Sequence, residues 1–346
     1  MKRKLSQIHV FSLLTILLFG ASCHRPTTKN LQIEKYQLTK NIGNVYFSLQ
    51  DRSGDIWFGT ANGLYKYDGK SFRHFLLSNG QNIMDVSCLL KDRNGKIWIG
   101  TGDGLILYDG KTVTKFKIPL PKDLPLNINP EYQKQWVFSM LQAKDGKIWF
   151  ATIDGLYIYN GKTFTLFLID EAPNGFLSRN AKVERMLEDS EGNIWFGARV
   201  NEGVFRYDGK SIINFKLKPT TVETAIRNWG WPQMQDKNGN IWFSNWDGAY
   251  RYDGKKITSF TKNDGLSGTG LVTQIIEDKK GIIWLGGDGL SRYDGNSFTS
   301  FRDGLIDPGI WSLFEEKSGN IWVGTRQDGF YLFDGKTFIN YSEHKE

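Results

Sequence analysis

One short string of residues is written seven times along this chain. Its anchor is an Ile-Trp pair, with the Trp at positions Trp57, Trp98, Trp149, Trp195, Trp242, Trp284 and Trp322, at spacings of 41, 51, 46, 47, 42 and 38 residues. A Gly stands three residues before each anchor, from Gly54 to Gly319. A second Gly closes a later turn, from Gly63 to Gly329, and Tyr-Asp-Gly or a near copy follows, ending at Gly69 in the first unit and Gly335 in the last. Such self-similarity constrains a fold more than composition does. Each unit is one supersecondary element, and it can bury its apolar faces only against its neighbours.

Every unit parses into four short strands, in the first case "VYFSLQD", "DIWFGT", "LYKYDG" and "SFRHF". Short runs of Val, Ile, Phe, Tyr and Trp broken by Gly turns are strand and hairpin signals. The "SGD", "NG" and "DG" pairs supply residues that tolerate positive φ in tight turns. Helical periodicity is nearly absent. A four-stranded unit of about 40–45 residues is the mark of a propeller blade. The expected fold is all-β: a single seven-bladed β-propeller of four-stranded antiparallel blades over residues 32–346. The anchor Trp then fills the space between neighbouring blades. Two segments suit the outer strand at the ring's closure, "IEKYQLTKN" (Ile33 to Asn41) and "TFINY" (Thr337 to Tyr341), and the residues do not choose between them.

Composition agrees with such a fold. The chain is 40% apolar and 14% aromatic, enough for a large core, and its 38 Gly against 9 Pro fit many tight turns. The first residues differ from the rest. "MKRK" is basic, and Val10 to Phe19 is an apolar run too short to span a bilayer but suited to a signal-peptide core. Residues 1–22 are read as a signal peptide and 23–31 as a linker. Small residues before Cys23 resemble a lipobox, so Cys23 is the expected lipidation site and the membrane is reached through an N-terminal lipid. Ordinary cleavage after Ser22 is the alternative. Loss of Lys2, Arg3 and Lys4 takes the formal charge from +7 to +4, with no basic run in the body, so no nucleic-acid partner is expected. Cys88, in "VSCLL", reads as a buried small hydrophobe.

The unit also resembles a known family. "EDSEGNIWFGARVNEGVFRYDGKSI" (Glu188 to Ile212) and "EEKSGNIWVGTRQDGFYLFDGKTF" (Glu315 to Phe338) are similar to the two-component regulator propeller repeat, over most of Val45 to Tyr341. The resemblance implies a periplasmic ligand-sensing propeller of the kind found in hybrid histidine kinases, many tuned to oligosaccharides. The sequence departs from the long members, since no kinase or receiver segment follows the seventh unit up to Glu346. The expected role is therefore binding, in or near a two-component pathway, with a separate sensor kinase as one partner. An envelope protein scaffold is the alternative.

Loops between units, and those between the second and third strands, open on one face, where length varies most. The long insertions run from Lys117 to Trp136, Leu168 to Lys182 and Lys216 to Trp231. Trp136, Trp229, Trp231, Trp246 and Trp311 stand outside the anchor series on that face. A flat aromatic face stacks on the C–H face of a sugar, and amides, carboxylates and guanidinia pair with its hydroxyls. Trp229, Trp231 and Trp311 are the expected stacking group, with Arg227, Asn228, Glu184 and Arg326 as hydrogen-bonding partners. Asp85, Tyr132, Lys182 and Arg185 are nearby candidates. Any one of these also suits a plain packing or solvated role.

Catalysis is poorly supported. Propeller lyases with similar "GxIWF" turns need His and Glu with a divalent metal. Here the His residues are His9, His24, His74 and His344, and only His74 falls inside a blade, in an outer strand. The Asp of "YDG", as at Asp68 and Asp109, reads as a turn residue. No catalytic residue, metal site or cofactor is expected.

Overall fold

The computed structural model describes residues 27–30, 43–77, 79–119, 135–153, 155–167, 183–198, 204–218 and 229–342. Among them are seven sheets, each built around four consecutive antiparallel strands, as the repeat predicts. The first blade comprises β2 (Val45–Gln50), β3 (Ile56–Thr60), β4 (Gly63–Tyr67) and β5 (Phe72–His74). The second comprises β6 (Val86–Lys91), β7 (Ile97–Thr101), β8 (Gly104–Tyr108) and β9 (Thr112–Phe116). Blades three to seven occupy residues 137–167, 183–215, 231–260, 272–301 and 310–340. Thr27–Asn30, labelled β1, pairs antiparallel with β9 and gives the second blade a fifth strand.

The anchor tryptophans are all buried, and each lies against the next blade: Trp57 beside Tyr108, Trp98 beside Phe150, Trp195 beside Phe243 and Trp322 beside Phe58. A buried indole N–H needs an acceptor, and the turn before it supplies one. A carboxylate six residues upstream receives the Nε1–H at 2.8 Å in Asp51–Trp57, 3.2 Å in Asp92–Trp98 and 2.8 Å in Asp189–Trp195. Asp236–Trp242 (2.8 Å), Asp278–Trp284 (2.9 Å) and Glu316–Trp322 (3.0 Å) repeat it. In the third blade the equivalent residue is Ala143, so Trp149 has no such carboxylate.

The first turn also ties blade to blade. The backbone N–H of Lys144 donates to Glu188, that of Ser190 to Gln235, Lys237 to Glu277 and Lys279 to Glu315. The series closes on itself: the N–H of Lys317 in the last blade donates to Gln50 of the first at 3.2 Å. Phe58 stacks on Phe330 at 4.1 Å across the same seam, and Ser48 and Ser312 share a hydrogen bond of 2.7 Å. Ring closure is thus made by side chains, with Phe338–Asn340 as the last blade's own outer strand. The rival segment Ile33 to Asn41 lies outside the described residues. Blades approach closely at Gly324, where a Cβ would lie 2.6 Å from Val45 Cγ1, so a side chain there would push the ring open.

The "YDG" carboxylates act as turn residues. Asp109 accepts the N–H groups of Lys111 and Thr112, which hold its carboxyl below the usual range. Cys88 is buried, and burial pushes its thiol up to about 12, which suits an inert core residue.

Candidate functional site at the mouth of the channel

Each innermost strand carries a pairing irregularity. In β2 the pairing register skips between Val45 and Phe47, in β6 between Val86 and Cys88, and corresponding shifts recur in all seven blades. A bulge bends its strand and re-aims the extra side chain. The residues eleven positions before each anchor Trp sit at the skip in six blades; in the fifth the skip lies between Pro232 and Met234, and the residue at that offset stands just before it, paired with Ser244. In order the residues at this offset are Tyr46, Ser87, Phe138, Glu184, Trp231, Thr273 and Trp311. All seven line one cavity of about 210 Å³ at the head of the central channel. One rule of spacing therefore produces a seven-membered ring of side chains, one from each blade.

The ring alternates. Blades one, three, five and seven contribute Tyr46, Phe138, Trp231 and Trp311, while blades two, four and six contribute Ser87, Glu184 and Thr273. Blades seven and one are neighbours, and there Tyr46 meets Trp311 edge-on at 6.2 Å. Trp231 donates its indole N–H to Glu184 Oε2 at 2.7 Å, which orients both side chains at the cavity wall. Trp136 stacks parallel to Phe138 with 6.3 Å between ring centres and extends the aromatic wall upward.

Arg185 forms the floor. It belongs to the fourth blade, yet its guanidinium lies 4.4 Å from the ring centre of Phe47 in the first and 3.4 Å from Gln274 Oε1 in the sixth. Blades one and four are as far apart as seven-fold order allows, so this side chain crosses the channel. Burial draws its guanidinium down to about 10, with Glu184 acting in the opposite sense, and it stays cationic at neutral pH. Asp85 stands at the rim with φ of 53°, the only non-Gly residue at positive φ among those described.

Of the residues expected from sequence, Trp136, Glu184, Trp231 and Trp311 line this cavity, together with the candidates Asp85 and Arg185. Trp229 stands behind the wall: it is nearly buried and packs edge-on against Trp231 at 4.9 Å and Trp246 at 5.1 Å. Trp246 is 55% exposed on the same face but away from the cavity lining. Arg326 lies beside Asp307, at 3.6 Å, and also away from the lining. Cys23, Tyr132, Lys182, Arg227 and Asn228 lie outside the described residues. Tyr46, Phe47, Ser87, Phe138 and Thr273 were not singled out from sequence. The spacing of eleven to the anchor marks all of them except Phe47, which follows Tyr46.

His74 sits in β5, stacked on Tyr65 and hydrogen-bonded to Asn82 at 2.8 Å, and burial holds its imidazole below its usual value. Among the described residues no group of three or more His, Cys, Asp or Glu side chains is placed to hold a metal ion, and no helix is long and apolar enough to cross a membrane. The cavity thus combines flat aromatic walls, interleaved hydroxyl and carboxylate groups, and a buried cation.

Residues 80–103 and 304–327 match the model of the two component regulator propeller family. Both stretches hold the same register in their blades, each starting eighteen residues before its anchor Trp and running through the second strand. Two of the seven blades thus carry matches to this repeat model. No curated protein sequence matches it. Among solved structures it is similar to the extracellular domain assigned to the hybrid two component system BT3049 of B. thetaiotaomicron, with 21% identity and a TM-score of 0.70. That match covers 90% of this chain and 41% of the other, so the chain spans about two fifths of that protein's length. Virginiamycin B lyase from Staphylococcus aureus, in an inactive variant with quinupristin, is similar at 14% identity and a TM-score of 0.65, over 87% of this chain and 98% of the lyase. PorZ of Porphyromonas gingivalis, a surface component of the type-IX secretion system, is similar at 16% identity and a TM-score of 0.62, over 84% and 46%. At these identities the likeness is one of fold, and one fold serves many functions.

Proposed function

We propose that this chain is an exported, sensor-type propeller that binds a glycan fragment at the mouth of its channel, in connection with a two-component pathway. The alternating ring carries the reading. Four aromatic faces suit the C–H faces of a sugar, and Ser87, Glu184 and Thr273 between them suit its hydroxyls. The cavity of about 210 Å³ is smaller than the ~300–1,000 Å³ usual for drug-sized ligands, which favours one sugar ring or a short end of a chain. The role is recognition rather than catalysis, without a cofactor. The leader and Cys23 favour an envelope location, with residues 1–22 removed, a lipid on Cys23 and the propeller beyond it.

The test is thermal unfolding of the protein against a panel of oligosaccharides. A ligand of the folded state alone adds roughly 2.7 kcal/mol at a hundredfold excess over its Kd. A selective upward shift that Trp311→Ala removes supports the reading, and no shift with any saccharide overturns it.

A second reading has one observation in its favour. Met84, Trp246 and Ile306 are exposed apolar side chains, and all three stand on loops of the cavity face. Such a face suits an envelope protein partner, a sensor kinase included. Recovery of a stoichiometric partner that Trp246→Glu releases would favour this reading.

A further inference from the structure

A second cavity, also of about 210 Å³, opens on the same face over the seam between blades one and two. Its base is apolar, from Leu77, Ile83 and Ile106, and its sides are polar, from Gln81, Asp103 and Lys115. One residue lines both cavities: Asp85.

Asp85 is held there at a cost. A non-Gly residue at φ 53° is uncommon, and Asp is among the few side chains that tolerate it. The backbone is fixed from both sides: the Asp85 N–H donates to Ala61 O at 2.9 Å, and the Gly102 N–H donates to Asp85 O at 3.1 Å. These partners belong to the loops that close the first and second blades, so the residue bridges two blades at the saddle between the cavities. No hydrogen bond or ion pair among the described residues engages its carboxylate. Among the described residues no hydrogen bond or ion pair engages the charged groups of Asp103 or the half-buried Lys115 in the second cavity either. Trp136 and Asp85 both pack against Gly102, where a Cβ would meet Trp136 at 3.0 Å and Asp85 Cβ at 3.2 Å.

We infer that the two cavities are subsites of one groove, which takes a ligand of at least two linked, hydroxyl-rich units with Asp85 accepting hydrogen bonds from the hydroxyls that flank the linkage. The inference rests on the glycan reading above and adds chain length and direction to it. One unit enters the aromatic ring of the channel, and the next lies radially outward over Ile83 and Ile106, with Asp103 and Lys115 at its hydroxyls. An unpaired carboxylate fixed by strained backbone at a junction is suited to such a contact, because ordering it during binding costs little. The second cavity differs from the first in chemistry, more polar at its sides and lacking aromatic faces, so it distinguishes the second unit by its hydroxyl pattern.

Titration calorimetry on the whole protein tests this, with glucose, galactose and mannose and their β-linked di- and trisaccharides as probes. The expected result is a disaccharide that binds at least tenfold more tightly than its monosaccharide. The double variant Asp103→Ala, Lys115→Met should abolish that gain while leaving monosaccharide affinity unchanged. Asp85→Asn, which keeps a residue tolerant of the left-handed backbone, should weaken the disaccharide more than the monosaccharide. Equal affinity for one and two units, or a gain that survives the double variant, overturns the groove and leaves the glycan reading standing. Binding of none of the saccharides overturns the glycan reading, and the groove with it.

Discussion

Trp231 and Glu184, on adjacent blades, meet side by side at the wall of the channel mouth, with the indole nitrogen 2.7 Å from the carboxylate it donates to. Both occupy the same position of the repeat, eleven residues before an anchor Trp. Two equivalent sites of neighbouring blades thus become a donor and an acceptor, and the wall of the cavity is set by the pair. Trp231→Phe should leave the carboxylate without this donor. A hydrogen bond to a charged group contributes about 1.5–3 kcal/mol, so the urea midpoint should fall by a corresponding amount. Ligand affinity should fall further than with Trp246→Ala, which alters a ring outside the cavity lining. Denaturation and calorimetry on both variants check this.

Ala143 is the exception among the turn residues that receive an indole N–H. Its turn has the geometry of the others: Ala143 N–H donates to Lys147 O at 2.9 Å, as Asp236 N–H does to Asn240 O at 2.9 Å. Ala143→Asp should therefore give Trp149 the carboxylate its six counterparts have. Arg93 reaches the carbonyl of residue 143 at 2.9 Å, so a positive charge already lies close to the new one. Stability should rise by about 1 kcal/mol, read as a higher urea midpoint with unchanged slope. A fall would mean that the third blade has repacked around the smaller residue.

Acid should loosen the ring. Asp189 is buried, which by itself raises its pKa, but hydrogen bonds from Asn193, Trp195 and Glu191 outweigh this and hold the carboxyl below its usual value. Glu316 is lowered in the same way, with donors from Ser318, Trp322 and Asn320. A depressed folded pKa contributes stability that is fully present above the unfolded value, near 4, and is lost as pH falls through the folded value. The unfolding temperature should hold from neutral pH to about 5 and drop below about 4. In Asp189→Asn the protein should be less stable at pH 7, and its acid drop shallower, in melts taken from pH 7 to pH 3.

Gly324→Ala tests the closing seam. The new Cβ would lie 2.6 Å from Val45 Cγ1 and 2.9 Å from Val45 Cβ, and Val45 is fully buried. Overpacking of this kind costs roughly 1–3 kcal/mol. Gly69→Ala, in a turn where nothing lies within 4 Å of a Cβ but φ is +88°, shows by contrast the cost of left-handed backbone strain without a clash, a strain that Gly324 does not carry. The seam variant paired with Val45→Ala should recover part of the loss, measured as a non-additive pair in urea denaturation.

The blades were legible because their signals are local. The Ile-Trp anchor, the Gly turns and the Tyr-Asp-Gly ending each act within a few residues of one hairpin, so the periodicity alone implies the strands and their number. Part of the cavity lining was legible too: Trp136, Trp231 and Trp311 stand out as tryptophans outside the anchor series near the start of an innermost strand, and Glu184 as a polar neighbour. Tyr46, Phe138, Ser87 and Thr273 do not, since each looks like an ordinary strand residue in its own unit. Only their shared offset from the anchor reveals them.

That this chain forms seven similar four-stranded units is written in its local pattern, because hairpin pairing and turn conformation are decided by neighbours along the chain. The closed ring is what brings seven equivalent positions around one cavity, carries Arg185 from the fourth blade to Phe47 of the first, and sets Asp85 between two cavities. Those relationships depend on how the ring closes, and closure is the sum of contacts between residues as far apart as Gln50 and Lys317. No local pattern contains that information.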